Sequence, residues 1–249
     1  MIKKLVYQLL QQRHFWRGVS FSELSELYVS ACLRMLAIST LMVFVPFYLY
    51  QQGYSIAAIF VCFGSFFVAR AFSDIGAGFT VARFGPKHTM IVACILQVIS
   101  ALFFLTVPTQ HWPAWLLGVP WGMSASFYFI AFHVEFSKIK HLRHAGKEIG
   151  YMHIMEKIGA IIGPLLGGLA GALLGPAYIF VIATLVLLAS LWPLFRTQEP
   201  VRTHQRLDFK GFPITKVTTD LRAYSALGIE NTLCINLWPL YLSLFALQG

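Results

Sequence analysis

The chain has 249 residues, of which 57% are hydrophobic and only 12% charged, with a mean hydropathy of +0.68. Soluble domains carry about 25% charged residues, so this composition excludes an ordinary soluble enzyme and points to an integral membrane protein. The net charge of +9 has no basic soluble domain to carry it, which leaves nucleic-acid binding unsupported.

Residues 1–21 read as a basic cytoplasmic segment. Met1-Ile-Lys-Lys precedes an apolar run that Gln8, Gln11, Gln12, Arg13 and His14 interrupt. No small-residue cleavage site follows, so the pattern is not that of a secretory signal. Seven apolar stretches come next, at 24–50, 56–81, 89–107, 113–137, 149–174, 177–195 and 223–247. Each suits a membrane helix of ~20 residues. The runs are continuous and do not alternate, which excludes a barrel. The expected fold class is all-α, a polytopic membrane helical bundle.

Lys and Arg mark one side only. Lys3, Lys4, Arg13 and Arg17 precede the first span. Arg83 and Lys87 lie between the second and third, and Lys138, Lys140, Arg143 and Lys147 between the fourth and fifth. Arg196, Arg202, Arg206, Lys210, Lys216 and Arg222 lie between the sixth and seventh. The turns at 51–55, 108–112 and 175–176 hold none. By the positive-inside rule the N-terminus and the 196–222 loop are cytoplasmic, in a multi-pass protein of a bacterial-type inner membrane.

Ionisable residues at membrane depth cost roughly 2.5–3.5 kcal/mol each on insertion scales, so each needs a partner, water or a function. Arg34 lies ~18 Å into the first span at 1.5 Å per residue. Ser22, Glu26 and Ser30 precede it in one polar stripe. Two readings stay open for Arg34: a cavity-facing cation that holds an anionic group, and an internal ion pair. Arg70 and Asp74, at i and i+4 on the second span, are spaced to pair along one face; Asp74 is alternatively a stand-in acid for the turn that follows. Glu135 shares a face with Ser124, Tyr128 and Ala131 near the basic end of the fourth span, where it reads as an interfacial glutamate in water. In the fifth span His153, Glu156 and Lys157 begin on the basic side. Lys157 is expected to snorkel. Glu156 is the candidate protonatable group facing Arg34. Glu230 and Asn231 are the strongly polar residues midway along the seventh span. They read either as lining for a solute path or as partners of a further helix.

The fifth span carries Gly159, Gly163, Pro164, Gly167, Gly168 and Gly171. Glycines four residues apart flatten one helix face so that a neighbouring backbone can come close, and Pro164 removes a backbone donor. Such a face is a packing seam or a surface that slides.

The turn Gly78-Phe-Thr-Val-Ala82-Arg83-Phe-Gly85-Pro-Lys87 resembles the signature between helices two and three of the major facilitator superfamily, Gly-x-x-x-Asp-Arg-x-Gly-Arg/Lys-Arg/Lys. The run from Gly159 through Gly168 resembles the helix-five motif of that family's drug/proton antiporter branches. The chain departs from the pattern at two positions. Ala82 stands for the turn aspartate, and Gly118 for a helix-four arginine if Gly122 is the glycine that follows it.

The resemblance implies two six-helix bundles that move a small solute by alternating access, with efflux and proton coupling as options. It also implies that Glu135 latches Arg83 or Lys87 when the inner gate is shut. By this reading, residues 22–195 form the first bundle and 196–222 a basic linker. Residues 223–249 are then the first helix of a second bundle, whose remainder is expected from a longer chain or a second copy. Val45-Pro46-Phe47-Tyr48-Leu49 echoes Trp238-Pro239-Leu240-Tyr241-Leu242, where a six-helix repeat would place it.

No zinc-protease, P-loop or serine-elbow motif occurs. Cys32, Cys62, Cys94 and Cys234 lack metal spacing and read as small apolar residues. No enzyme activity, cofactor or metal is expected. A transport-inactive membrane module, acting as an assembly partner or sensor, is the alternative function.

Overall fold

The computed structural model describes residues 21–140 and 143–195, with Thr218, Ala226 and Trp238–Tyr241 beyond them. The N-terminal segment, the linker and nearly all of the seventh span, including Glu230 and Asn231, lie outside the described residues.

The helices are α1 (Phe21–Met42), α2 (Phe44–Gln51), α3 (Ile56–Phe84), α4 (Pro86–Thr106), α5 (Ala114–Ile139), α6 (Ala145–Leu173) and α7 (Pro176–Leu191). A 3₁₀ turn, Trp192–Phe195, extends α7, and α8 is the single turn Trp238–Tyr241. Six segments are long and apolar enough to cross a membrane, the first formed by α1 and α2 together. The expected all-α membrane bundle is therefore what the chain forms. Pro46 explains the break in the first span: its ring clashes with the carbonyl four residues back, and the helix interrupts at Val43, between Met42 and Phe44.

Two junctions are a single tight step. Gly85 closes α3 with φ +87°, and Pro86 opens α4. Gly175 has φ +109°, and Pro176 opens α7. A positive φ favours glycine, and proline fits the first helical position because the N–H it lacks has no helical partner there. The signature glycine at 85 thus has a backbone reason: it reverses the chain within one residue.

α3 packs mainly on α5, α1 on α6, α4 on α5 and α1 on α7. Two large apolar clusters, and a small one of Ala37, Cys94 and Leu187, fill the interior. Val45, Leu49, Phe63, Phe104, Trp121 and Phe180 belong to the one at the end away from Gly85. Leu27, Met90, Ala131, Phe132, Phe136 and Met152 belong to the one at the basic end. α3 and α6 are the least buried spans. Phe72, Ile75, Ile161 and Leu165 leave large apolar side chains on their outer surfaces, as lipid or a second bundle requires.

Candidate functional site

The glycine face of α6 is closed against α1. A Cβ built on Gly159 would come 2.8 Å from the Leu36 nitrogen, and one on Gly163 would come 2.8 Å from both the Leu36 oxygen and the Thr40 nitrogen. Ser39 Oγ donates to the Gly159 carbonyl at 3.2 Å, and Thr40 Oγ1 to the Gly163 carbonyl at 3.1 Å. Of the two readings, seam or sliding surface, the structure shows a hydrogen-bonded seam inside the bundle. Gly168 points elsewhere, with Phe44 Cζ in ordinary contact at 3.7 Å. Pro164 lies within α6, which continues through it to Leu173.

Gly118 and Gly122 make a second seam, between α5 and α3, that sequence reasoning missed. A Cβ on Gly118 would fall 2.9 Å from the Phe66 nitrogen, and one on Gly122 2.9 Å from the Phe66 carbonyl carbon. With Gly122 taken as the motif glycine, the backbone of α3 occupies the space that an arginine at 118 would need.

Arg34 is buried in the bundle at 3% exposure and does not line an open cavity wall. Its guanidinium stacks over the Tyr128 ring at 3.8 Å, and its Nη2 donates to Ser124 Oγ at 3.5 Å. Ser124 in turn donates to the Ala93 carbonyl at 2.7 Å, which ties α1, α4 and α5 together. The expected partner Glu156 does not contact Arg34. It bonds His153 Nδ1 at 3.1 Å, one turn back on α6, with the His153 side chain 59% and the Glu156 side chain 25% exposed.

Arg70 and Asp74 lie within each other's electrostatic reach, as their spacing suggests, without closing to a direct salt bridge. Both side chains reach across to α5 instead. The Arg70 guanidinium sits over Phe129 at 4.8 Å, and Asp74 Oδ1 accepts a 2.6 Å hydrogen bond from Ser126. The close α3–α5 approach that Gly118 and Gly122 permit puts the Phe129 ring and the Ser126 hydroxyl of α5 within their reach. Phe129 also stacks on His133, with ring centroids 6.2 Å apart. His133 lies within the electrostatic reach of Glu156, Arg70 and His153. The charges of Arg70 on α3 and of His153 and Glu156 on α6 thus all reach His133 on α5, a relation the sequence could not show.

At the basic end Lys87 Nζ lies 3.9 Å from Glu135 Oε1. Both residues are buried. The sequence left Arg83 and Lys87 as equal candidates for this contact. The turn at Gly85 decides it by carrying Lys87 inward, while Arg83 stays exposed beside Phe84. Gly78 lies two turns earlier on α3. Among the described residues no group of three or more His, Cys, Asp or Glu is placed to hold a metal ion.

The chain resembles known transporters in both sequence and fold. It is 26% identical over 165 residues to Multidrug resistance protein 1 of Bacillus subtilis (strain 168), an alignment that covers 66% of this chain and 41% of that protein. Multidrug resistance protein 2 of the same organism is 28% identical over 158 residues, covering 62% and 37%. A crystal structure of the peptide transporter POT, a mutant in complex with sulfate, superposes with a TM-score of 0.61 at 14% identity, over 91% of this chain and 47% of that one. The chain therefore spans less than half the length of each of these proteins. The family model of the Major Facilitator Superfamily matches residues 27–249, which takes in both glycine seams, the one-residue turn at Gly85 and the Lys87–Glu135 contact. The chain belongs to the Major Facilitator Superfamily.

Proposed function

We propose that this chain supplies the first bundle of a secondary transporter that exports small solutes from the cytoplasm by alternating access. Its basic end faces the cytoplasm, and the second bundle comes from the rest of a longer chain or from a second copy. The observation that carries the reading is the Lys87–Glu135 pair. It joins the signature turn to the interior of α5, where a contact that breaks and re-forms would gate the cytoplasmic side. The two glycine seams support the reading, because they make the bundle a rigid body that can rock as a unit.

The coupling groups in this proposal are Glu156 and His153, with His133 and Arg70 beside them. Their charges come from α3, α5 and α6 and interact at His133, and His153 is well exposed. A proton exchanged at this pair would link the gradient to the movement of the bundle. Export follows by extension from the relatives' names, which specify multidrug resistance.

The test is flux by the purified full-length protein in proteoliposomes with an imposed pH gradient, using a panel of structurally diverse drugs. Gradient-driven movement is the expected result. No flux from correctly inserted protein would leave the membrane-module reading in its place.

A further inference from the structure

Gln97 sits near the middle of α4 and is buried in the bundle, at 5% exposure. A side-chain amide at membrane depth is costly unless it is hydrogen-bonded, because lipid tails offer it no partner. The Gln97 amide makes no hydrogen bond to another side chain or to the backbone among the described residues. It borders a cavity of about 10 Å³, whose walls include Ala37 and Leu41 of α1, Ala101 of α4, and Thr184 and Leu187 of α7. Thr184 also lies near the middle of its helix. Its Oγ1 donates to the Phe180 carbonyl at 2.7 Å, which leaves the oxygen able to accept. The other walls are apolar, and among the described residues no ionisable side chain lines the cavity. α4 packs less closely on α7 than on α5. A direct polar contact between α4 and α7, from Cys94 Sγ to the Leu187 carbonyl, is long at 4.0 Å.

We propose that this cavity is the binding site of a single structural water molecule, which bridges the Gln97 amide to the Thr184 hydroxyl. Room decides the size of the occupant. One water needs about 10–15 Å³ of such space, and an acyl chain or an organic solute needs more. Chemistry decides its identity. Gln97 can present either its carbonyl or its NH₂ group to the cavity, and water serves both because it donates and accepts. A monatomic ion would find no opposite charge on these walls, and an apolar occupant would leave the amide unsatisfied. Bound there, the water joins α4 to α7 by hydrogen bonds at mid-membrane, and a bridging water is nearly as good as a direct bond. The proposal goes beyond the transport reading and does not depend on it.

The test is radiolytic hydroxyl labelling of the full-length protein in detergent, read residue by residue by mass spectrometry. Radicals formed from an internal water mark the side chains beside it, even where bulk water does not reach. Leu187 lines the cavity and Leu194 does not, and both are 2% exposed. The expected result is labelling of Leu187 several-fold above that of Leu194. Thr184→Val keeps the shape of the side chain and removes the hydroxyl, and Gln97→Leu removes the amide. The excess at Leu187 is expected to fall in Thr184→Val and to vanish when the two changes are combined. Should the double variant fail to fold, a high-resolution crystal structure of the wild type provides the second readout: one water within hydrogen-bond distance of both the Gln97 amide and Thr184 Oγ1. Labelling of Leu187 at the level of Leu194 overturns the proposal. So does an excess that survives in the double variant, or a Gln97 amide that bonds another protein group with no water beside it.

Discussion

Lys87 and Glu135 approach to 3.9 Å in side chains that are 5% and 2% exposed, so a nearly dry ion pair holds the signature turn against α5. Removing one partner of a buried pair leaves the other charge uncompensated, at about 3–5 kcal/mol. Glu135→Gln and Lys87→Met are each expected to lower unfolding stability by a few kcal/mol on this basis. The double variant is expected to lose clearly less than the sum of the two. A double-mutant cycle on thermal or denaturant unfolding measures the coupling. Additive losses would mean that the two groups do not act on each other.

The α1–α6 seam makes a graded prediction. A methyl at Gly163 meets backbone atoms at 2.8 Å, which cannot move without shifting a helix. Gly163→Ala is expected to cost about 1–3 kcal/mol by overpacking, and Gly163→Leu to prevent assembly of the bundle. Gly168→Ala meets only the far edge of the Phe44 ring at 3.7 Å. It is expected to be neutral or slightly stabilising, since alanine is the better helix former. Thermal unfolding of the three variants in detergent checks the order.

The turn between α2 and α3 carries a pH-sensitive contact. Tyr54 donates to the Trp112 carbonyl at 2.7 Å and stacks on His111 with ring centroids 4.3 Å apart. Burial raises the Tyr54 hydroxyl above the usual tyrosine range, with the nearby Cys62 adding to the shift. A pKa raised on folding means that the native state holds the proton more tightly. The stabilisation is thus complete below the unfolded-state pKa of about 10 and is lost as pH rises through the higher folded value. Tyr54→Phe is expected to flatten this alkaline loss, as read by unfolding temperature against pH.

The proposed coupling role of Glu156 separates two transport modes. Glu156→Gln is expected to abolish accumulation against a gradient and to leave solute exchange across the vesicle membrane intact. His153→Gln is expected to weaken accumulation less. Gradient-driven accumulation by Glu156→Gln at the wild-type level would remove Glu156 from the coupling step.

Orientation is tested by single cysteines in a background cleared of the native ones. A cysteine at Gln110 is expected to react with a membrane-impermeant maleimide from outside intact cells. One at Lys138 is expected to react only after the membrane is opened. Both positions are exposed. The reverse labelling pattern would invert the proposed topology.

The sequence by itself determined the class and the path of the chain. Apolar runs placed six of the spans within a few residues of their observed ends, because burying the backbone in lipid demands continuous hydrophobic helices. At Gly85 and Gly175 the structure adds a local backbone reason for the turns: each takes a positive φ. The spacing of Gly159, Gly163 and Gly167 announced a flat face, but not what lay against it.

Only the tertiary structure decided the partners. That α1 fills the glycine face depends on how the helices rotate and cross, which local spacing does not encode. The same holds for Lys87 rather than Arg83 at Glu135, and for Asp74 on Ser126 rather than Arg70. Residues four apart on α3 still feel each other's charge, but their closest contacts are on the adjacent helix. Arg34 shows the limit most clearly. Its depth was legible by counting residues, but its burial under Tyr128 required α1, α4 and α5 to meet around it.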